Sequence, residues 1–377
     1  MIKILFITHD ASRSGAPMVL LHFMRWLKVH QPHIVFDILY IIGGVLESDF
    51  EALCTHAYYL PVHVEEKSVK KLVRQRIKKK LGITLDKKTP QMLYEQLALN
   101  KYDLIYANTV VAMPYGYAIK RYSPETKCVV HIHELPTIIS SRVPNFEHYI
   151  SGVDKFIAVT PQVNTRLITN FNVPQDRVNV VYECAEVKVN KQPKDTQVFT
   201  VGASGISHWR KGNDVFLQIA RYIVKHYPDL KIHFVWVGNE SSDKPVIDAD
   251  IEKIGLNNKV KFVGEVEDPS TYFNNFDVFL LTSREDPFPL VCIEVAMLEK
   301  PIICFEQASG TAEVVKQGGG FVVPYLDIEA MAEKIVYYYK NRNQMVVDGK
   351  NAYDLFKDYS PENICPQLYT VIENTIG

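Results

Sequence analysis

The sequence of 377 residues lacks several features that would assign it to whole classes of protein. Its six cysteines lie far apart with no Cys-x-x-Cys pair, which argues against a zinc site and a disulfide framework and suits a reducing compartment. The formal net charge of −1 gives no sign of a nucleic-acid partner. No run of about 18 apolar residues occurs, so we expect no transmembrane helix. Residues 1–10 lack the long apolar region and cleavage site of a signal peptide, so we expect a cytoplasmic protein.

Short apolar runs alternate with helix-length amphipathic stretches along the chain. The runs predict strands at 2–8, 35–41, 103–108, 127–133 and 155–160, and again at 198–204, 231–238, 259–265, 278–283, 301–306 and 320–325. The amphipathic stretches predict helices at 16–30, 213–227 and 290–299, among others. Strands that are apolar on both faces and separated by helices indicate parallel sheets, and therefore an α/β fold.

The pattern restarts after a polar stretch near 187–197, which indicates two Rossmann-like domains. We place the N-terminal domain at 1–186 and the C-terminal domain at 187–359. The last segment, 360–377, opens with Ser-Pro-Glu, and we expect a helix that crosses back to the N-terminal domain. Ligands bind beyond the carboxyl ends of the strands in open α/β sheets, so we expect a site in a cleft between two facing domains.

The stretch 283–298, SREDPFPLVCIEVAML, carries an acid inside an apolar run. Asp286 precedes a proline, which predicts a loop after strand 278–283, and Glu294 lies about one turn into the helix that starts at Leu290. The first-turn amides of Leu290 and Val291 are unpaired donors that favour a phosphate. A carboxylate one turn into the helix can accept hydrogen bonds from a ribose diol. The open alternative is a buried acid satisfied by the backbone.

A second strand–loop–helix junction lies at 203–214, ASGISHWRKGND. It contains Gly205 in a Gly/Ser loop, followed by Arg210 and Lys211 just before a helix. Two cations at such a junction can clamp a diphosphate, arginine with a planar fork and lysine as a point charge. The alternative is a solvated basic turn.

These motifs, in this order, resemble glycosyltransferase family 4, whose members have the GT-B fold. The resemblance runs through nearly the whole chain and is strongest from about residue 198 to 340. The family's acid pair has seven residues between its members, as Asp286 and Glu294 have, whereas Glu285 is one position too early. The resemblance implies that Asp286 lies near the donor sugar hydroxyls, Glu294 on the ribose and Lys211 on the diphosphate.

The chain departs from the family pattern at two positions in its second half. Ala203 stands where the family usually has an arginine, and Arg210 is our candidate substitute. Pro289 stands where the family often has a glycine, and a proline has no amide hydrogen to donate to a sugar or phosphate.

In the first half, the resemblance points to two further sites. Gly15 and Ala16 occupy the place of the family's Gly-Gly, which lets the loop approach the donor phosphate; the alternative is an ordinary βα loop. His133, at the end of a predicted strand, matches the family's sugar-contacting histidine. The alternative is a structural histidine satisfied within the fold.

The segment 67–81 is rich in lysine and arginine, and Val69, Leu72, Val73 and Ile77 fall on one helical stripe. A basic amphipathic helix is typical of a segment that docks on a membrane surface. The alternative is a solvated helix covering the core of the first half. A nucleic-acid site is poorly supported, because no aromatic residues are interleaved with the basic ones.

The resemblance implies a retaining glycosyltransferase that moves a sugar from a UDP- or GDP-sugar to a glycan or lipid-linked acceptor in polysaccharide or lipopolysaccharide assembly. It implies a nucleotide-sugar-binding C-terminal domain, an acceptor-binding N-terminal domain and a peripheral location on the inner face of the cell membrane. No cofactor or metal is expected, since Asp248 and Asp250 are predicted to open a polar helix. The alternatives are a 2-epimerase type of nucleotide-sugar isomerase and a binding-only partner of another transferase.

Overall fold

The computed structural model describes residues 1–61, 89–187, 198–239 and 244–377. The predicted membrane-docking segment 67–81 lies outside these residues, as does most of the polar stretch near 187–197. Within the described residues, two sheets are present with parallel strand pairing, for example between β1 (Ile2–Thr8) and β2 (Ile34–Tyr40). The predicted α/β class and the presence of two parallel sheets are confirmed.

The first sheet has seven strands in the order β3-β2-β1-β4-β5-β6-β7. Its strands and the helices of the same part of the chain are β1, α1 (Gly15–His30), β2, α2 (Glu47–Glu51), β3 (Ala57–Tyr59), α3 (Pro90–Leu99), β4 (Leu104–Asn108), α4 (Met113–Lys120), β5 (Lys127–Ile132), α5 (Pro136–Arg142), α6 (Phe146–Tyr149), β6 (Lys155–Ala158), α7 (Pro161–Phe171) and β7 (Val178–Val180).

The second sheet has six strands in the order β10-β9-β8-β11-β12-β13. The elements of this part of the chain are β8 (Phe199–Ser204), α8 (Asn213–His226), β9 (Ile232–Val237), α9 (Lys244–Lys253), β10 (Val260–Phe262), α10 (Ser270–Asn275), β11 (Val278–Leu281), α11 (Leu290–Met297), β12 (Ile302–Phe305), α12 (Thr311–Val315), β13 (Gly320–Val323), α13 (Ile328–Lys340), α14 (Arg342–Phe356) and α15 (Pro361–Ile376). The strand β11 lies beside β8, although about 75 residues separate them in sequence.

The second sheet is buried on both faces at its inner strand β11, as the predicted strand required. Along β11, Val278 and Leu280 pack into one buried cluster with Phe199 and Val201. The alternating residues of the same strand, Phe279 and Leu281, pack into another cluster with α11 and α14. Successive side chains of a strand point to opposite faces, so a strand buried on both sides needs an apolar residue at every position.

The strand and helix predictions agree with the structure to within a few residues at each end. The prediction that Asp248 and Asp250 open a helix was wrong, because α9 already includes Lys244 and both acids lie inside it. Asp248 instead pairs with Lys244 one turn earlier, at 3.4 Å between carboxylate and ammonium. The short strands β3 and β7, at the far edges of the first sheet, had no strong apolar pattern and were not predicted.

The chain divides into two compact units. One contains 1–131, 147–156 and 372–377, and the other contains 132–146 and 157–371. The domain boundaries drawn at 186/187 and 359/360 stay predictions. None of the helices in the described parts of the chain has the length and apolar character needed to span a membrane.

Candidate functional site

The loop between β8 and α8 has a shape that requires glycine at two positions. Gly205 has a φ of +144°, and a side chain there would press on the aliphatic part of Lys211. Gly212 has a φ of +71°, and a Cβ there would lie 2.0 Å from the carbonyl oxygen of Thr282. The indole of Trp236 donates a hydrogen bond of 2.8 Å to the carbonyl of Gly205. The two glycines therefore let the loop lie tightly against its neighbours and against its own lysine.

The carboxylate of Asp286 brings both predicted cations together. Arg210 Nη1 lies 3.1 Å from Asp286 Oδ1, and Lys211 Nζ lies 2.5 Å from Asp286 Oδ2. Ser283 Oγ donates to the same Oδ2 at 3.1 Å, and Arg210 Nη1 also donates to the carbonyl of Glu285 at 3.1 Å. The cations follow β8 and the acid follows β11, so the pairing of those two strands places them side by side.

The electrostatics of Asp286 are set by these partners. The residue is only 5% exposed. Burial alone would raise the pKa of its carboxyl, but the charges of Lys211 and Arg210 outweigh burial and hold that pKa below its ordinary value. Asp286 is therefore ionised at neutral pH. An anionic ligand brought to Arg210 and Lys211 would either displace the Asp286 carboxylate from their donors or share those donors with it.

The Pro-Phe-Pro turn after Asp286 is held by hydrogen bonds to its backbone. The carbonyl of Pro287 accepts from the amide of Gly310 at 2.8 Å and from Ser309 Oγ at 3.3 Å. Phe288 is buried, and Pro289 takes the capping position before α11 with an extended backbone. Because Pro289 has no amide hydrogen, the first available amide donors of this helix are those of Leu290 and Val291, as expected from the sequence.

Glu294 lies in the second turn of α11, in the predicted helix. Its carboxylate makes no hydrogen bond or ion pair with any other residue in the described ranges. Burial raises the pKa of Glu294 to about 7, from an ordinary value of 4.5. Among the described residues, therefore, no backbone group donates to the Glu294 carboxylate, contrary to the alternative stated above. The half-buried carboxylate of Glu294 therefore has acceptor capacity that no described residue uses.

Sequence reasoning missed the partner of His133. Its Nδ1 lies 2.9 Å from Glu183 Oε1, and both side chains are less than a tenth exposed. A carboxylate accepts, so Nδ1 carries the proton and Nε2 has the lone pair when the imidazole is neutral. The only signal in the sequence was an acid in the apolar run VVYEC, where a buried charge requires a partner.

The other predicted residues of the first half lie in the other compact unit. Gly15 and Ala16 are the first two residues of α1. An added Cβ at Gly15 would meet no atom of the described residues within 4 Å. The carbonyl of Ala16 accepts from Asn108 Nδ2 at 3.0 Å, which ties the start of the helix to the end of β4.

Within the described ranges there is no group of three or more histidine, cysteine, aspartate or glutamate side chains arranged to hold a metal ion.

Two family models match the chain in consecutive segments. The model described as "Glycosyltransferase Family 4" matches residues 52–188, and the model described as "Glycosyl transferases group 1" matches residues 195–341. The second match contains Arg210, Lys211, Asp286 and Glu294.

Curated relatives are matched over a part of their length. The capsular polysaccharide biosynthesis glycosyltransferase CapM of Staphylococcus aureus is 29% identical over 40% of this chain and 38% of its own length. The lipopolysaccharide core biosynthesis mannosyltransferase LpcC of Rhizobium leguminosarum is 28% identical over 40% of this chain and 44% of its own length. The matched region thus spans about two fifths of these relatives.

Solved structures match over the whole chain. Anabaena HepE in complex with UDP and glucose superposes with a TM-score of 0.78 at 19% identity, covering 99% of this chain and 100% of that one. At this level of identity the likeness shows the fold, which is GT-B, with two parallel-sheet α/β domains.

Proposed function

Because the chain belongs to glycosyltransferase family 4, we propose that it is a retaining glycosyltransferase of cell-surface polysaccharide assembly. It transfers a hexose from a nucleotide-diphosphate sugar, with UDP or GDP as the nucleotide, to a glycan or lipid-linked acceptor. The named relatives act in capsule and lipopolysaccharide biosynthesis, and HepE was solved with UDP and glucose, which supports this class of donor and product.

The observation that carries the proposal is the cluster of Arg210 and Lys211 on Asp286, four residues before the first turn of α11. Two cations outnumber the one carboxylate they share, and the helix start adds unpaired amide donors and a positive dipole end. A diphosphate has the charge and the acceptor oxygens that this arrangement lacks. We assign its binding to Arg210, Lys211 and the amides of Leu290 and Val291.

The remaining roles follow from the donor's shape. Glu294 accepts hydrogen bonds from the ribose hydroxyls, since its carboxylate has no partner among the described residues. Asp286 and His133 contact the sugar. In a same-face mechanism, the departing phosphate oxygen takes the proton of the acceptor hydroxyl, and the cations stabilise the charge that develops on the leaving diphosphate. No metal takes part in this scheme.

The test is the substitution Lys211→Ala, assayed for turnover with UDP- and GDP-sugars and lipid-linked acceptors. Loss of one donor to a developing charge typically lowers the rate by ~10²–10³, so we expect a fall of that size with the fold retained. Lys357→Ala is the matched control, since Lys357 makes a surface pair with Asp354. Turnover of the Lys211 variant within a few fold of the unsubstituted chain would rule the assignment out.

The same assays separate the two alternatives. Epimerisation of the donor without an acceptor would identify an isomerase. Absence of UDP and GDP binding in calorimetry would identify a binding-only protein.

We also propose that the segment 67–81 docks the enzyme on an anionic membrane surface, which places it on the inner face of the cell membrane. The proposal rests on its sequence of basic residues alone. Flotation with vesicles containing anionic lipid should recover the full chain, and exchange of Lys78, Lys79 and Lys80 for glutamate should abolish recovery. Equal recovery of both proteins would refute it.

A further inference from the structure

Three successive carbonyls of the cation-bearing turn are bonded by one short segment. Thr282 Oγ1 donates to the carbonyl of Lys211 at 3.1 Å, and the amide of Arg284 donates to the carbonyl of Arg210 at 2.8 Å. The guanidinium of Arg284 donates to the carbonyl of Trp209 at 2.8 Å. The segment after β11 therefore holds the backbone of the turn residue by residue.

Arg284 continues this contact through the start of the next helix. Its Nη1 and Nη2 donate to the two carboxylate oxygens of Asp214 at 2.9 and 2.8 Å, in a bidentate fork. Its guanidinium carbon lies 5.4 Å from the centre of the Trp209 ring. The hydrogen bond to Asp214 raises the pKa of Arg284 and lowers that of Asp214, so both groups stay charged.

We propose that Arg284 is a positioning residue for diphosphate binding, acting through the turn that carries Arg210 and Lys211. This inference rests on the proposed function. The side chain of Arg284 donates hydrogen bonds to Trp209, which precedes the two cations, and to Asp214, which follows them. It therefore holds the turn at both ends. Lys211 then needs little reorganisation when an anionic ligand arrives, and binding costs less conformational entropy.

The chemistry of arginine fits this role and that of lysine does not. A planar guanidinium supplies the two donors of the Asp214 fork and a third contact to the Trp209 carbonyl from one rigid group. A lysine ammonium is a point charge on a flexible stem and cannot hold all three acceptors in one geometry. Arg284→Lys should therefore keep the charge and lose most of the effect.

The test is a double-mutant cycle read as UDP and GDP affinity by calorimetry on the full chain. We expect Arg284→Ala to weaken binding about tenfold, because the turn that carries the two cations would then have to reorganise when the ligand binds. In the Lys211→Ala or the Arg210→Ala background the same substitution should weaken binding by no more than about threefold, because it acts through the turn that carries both cations. If Lys211→Ala leaves binding too weak to fit, the cycle is run with Arg210→Ala.

A residue with a merely structural role gives a different pattern. Its substitution would weaken binding by the same factor in both backgrounds, and that additivity would overturn the proposal. Arg342→Ala is the matched control, because Arg342 pairs with Asp277 at 3.0 Å in the same compact unit and lies outside the turn. It should lower the unfolding temperature and leave the dissociation constant within twofold.

The outcomes also separate this inference from the function on which it rests. If the unsubstituted chain binds neither UDP nor GDP, both the proposed function and the positioning role of Arg284 are ruled out. If the chain binds a nucleoside diphosphate through Lys211 but the cycle for Arg284 is additive, only the positioning role is ruled out. The proposed function then stands.

Discussion

Asp286 and Glu294 belong to one stretch of the chain and meet opposite environments. Asp286, in the loop, is buried against two cations, and the pKa of its carboxyl lies below the ordinary value. Glu294, in the helix, is half-buried and has no charged or hydrogen-bonding partner among the described residues, and burial raises its pKa to about 7. Burial acts in the same direction on both acids, so the presence or absence of cations decides the sign of the shift. The loop acid thus holds two cations in place, whereas the helix acid has unused acceptor capacity among the described residues.

Removing Asp286 should have the largest effect on stability. Asp286→Ala leaves Arg210 and Lys211 without their shared acceptor. Because the cations are part-exposed, we expect a loss of about 2 kcal/mol in the free energy of unfolding, between the values for exposed and buried pairs. Urea denaturation of the full chain measures it. Asp354→Ala, which breaks an exposed pair with Lys357, is the control and should cost less than about 1 kcal/mol. Equal costs for the two variants would mean that the cation cluster adds nothing to folding.

Glu294→Gln tests the other side of the comparison through pH. The folded-state pKa of Glu294 is raised from 4.5 to about 7, so the folded chain binds this proton more tightly than the unfolded chain. Its contribution to stability is therefore fully present below pH 4.5 and is lost as pH rises through about 7. We expect the unsubstituted chain to lose about 2 kcal/mol relative to the variant between pH 5 and pH 8.

Thermal unfolding of both proteins across that pH range measures the difference. Parallel stability curves would show that the carboxylate is well solvated or paired in solution, which would remove the contrast with Asp286.

The smallest expected effect is on ligand affinity. If ribose hydroxyls donate to Glu294, they favour its ionised form, so UDP should bind more tightly as the pH rises from 6 to 8. Titration of UDP itself cancels when the chain is compared with Glu294→Gln, and the remaining slope should amount to a severalfold change in the dissociation constant. Identical slopes for the two proteins, by calorimetry, would place the ribose elsewhere.

Much of the architecture could be predicted because it depends on local patterns. The strand β11 is apolar at every position and the proline after Asp286 ends any regular structure, so the strand, loop and helix around 278–297 follow from the residues themselves. The same holds for the glycines at 205 and 212, which mark a turn. The sequence pattern could not show which side chains would be hydrogen-bonded to each other in the fold. Glu183 beside His133 and Asp214 beside Arg284 are each at least 50 residues from the group they bind.

The sequence by itself determined that this chain builds two parallel α/β sheets. It also determined that two cations and Asp286 follow strand ends in the second half, and that Glu294 lies in the helix after Asp286. Apolar periodicity, turn residues and motif spacing are short-range properties, so a short stretch of sequence is enough to identify each of them. Tertiary structure decided which acid meets the cations. Because β8 and β11 are neighbours in the sheet, the loops after them converge, and Asp286 pairs with both cations. Glu294 meets no partner in the part of the chain that the structure describes. Strand order is set by how the whole core packs, which no single stretch of the sequence contains.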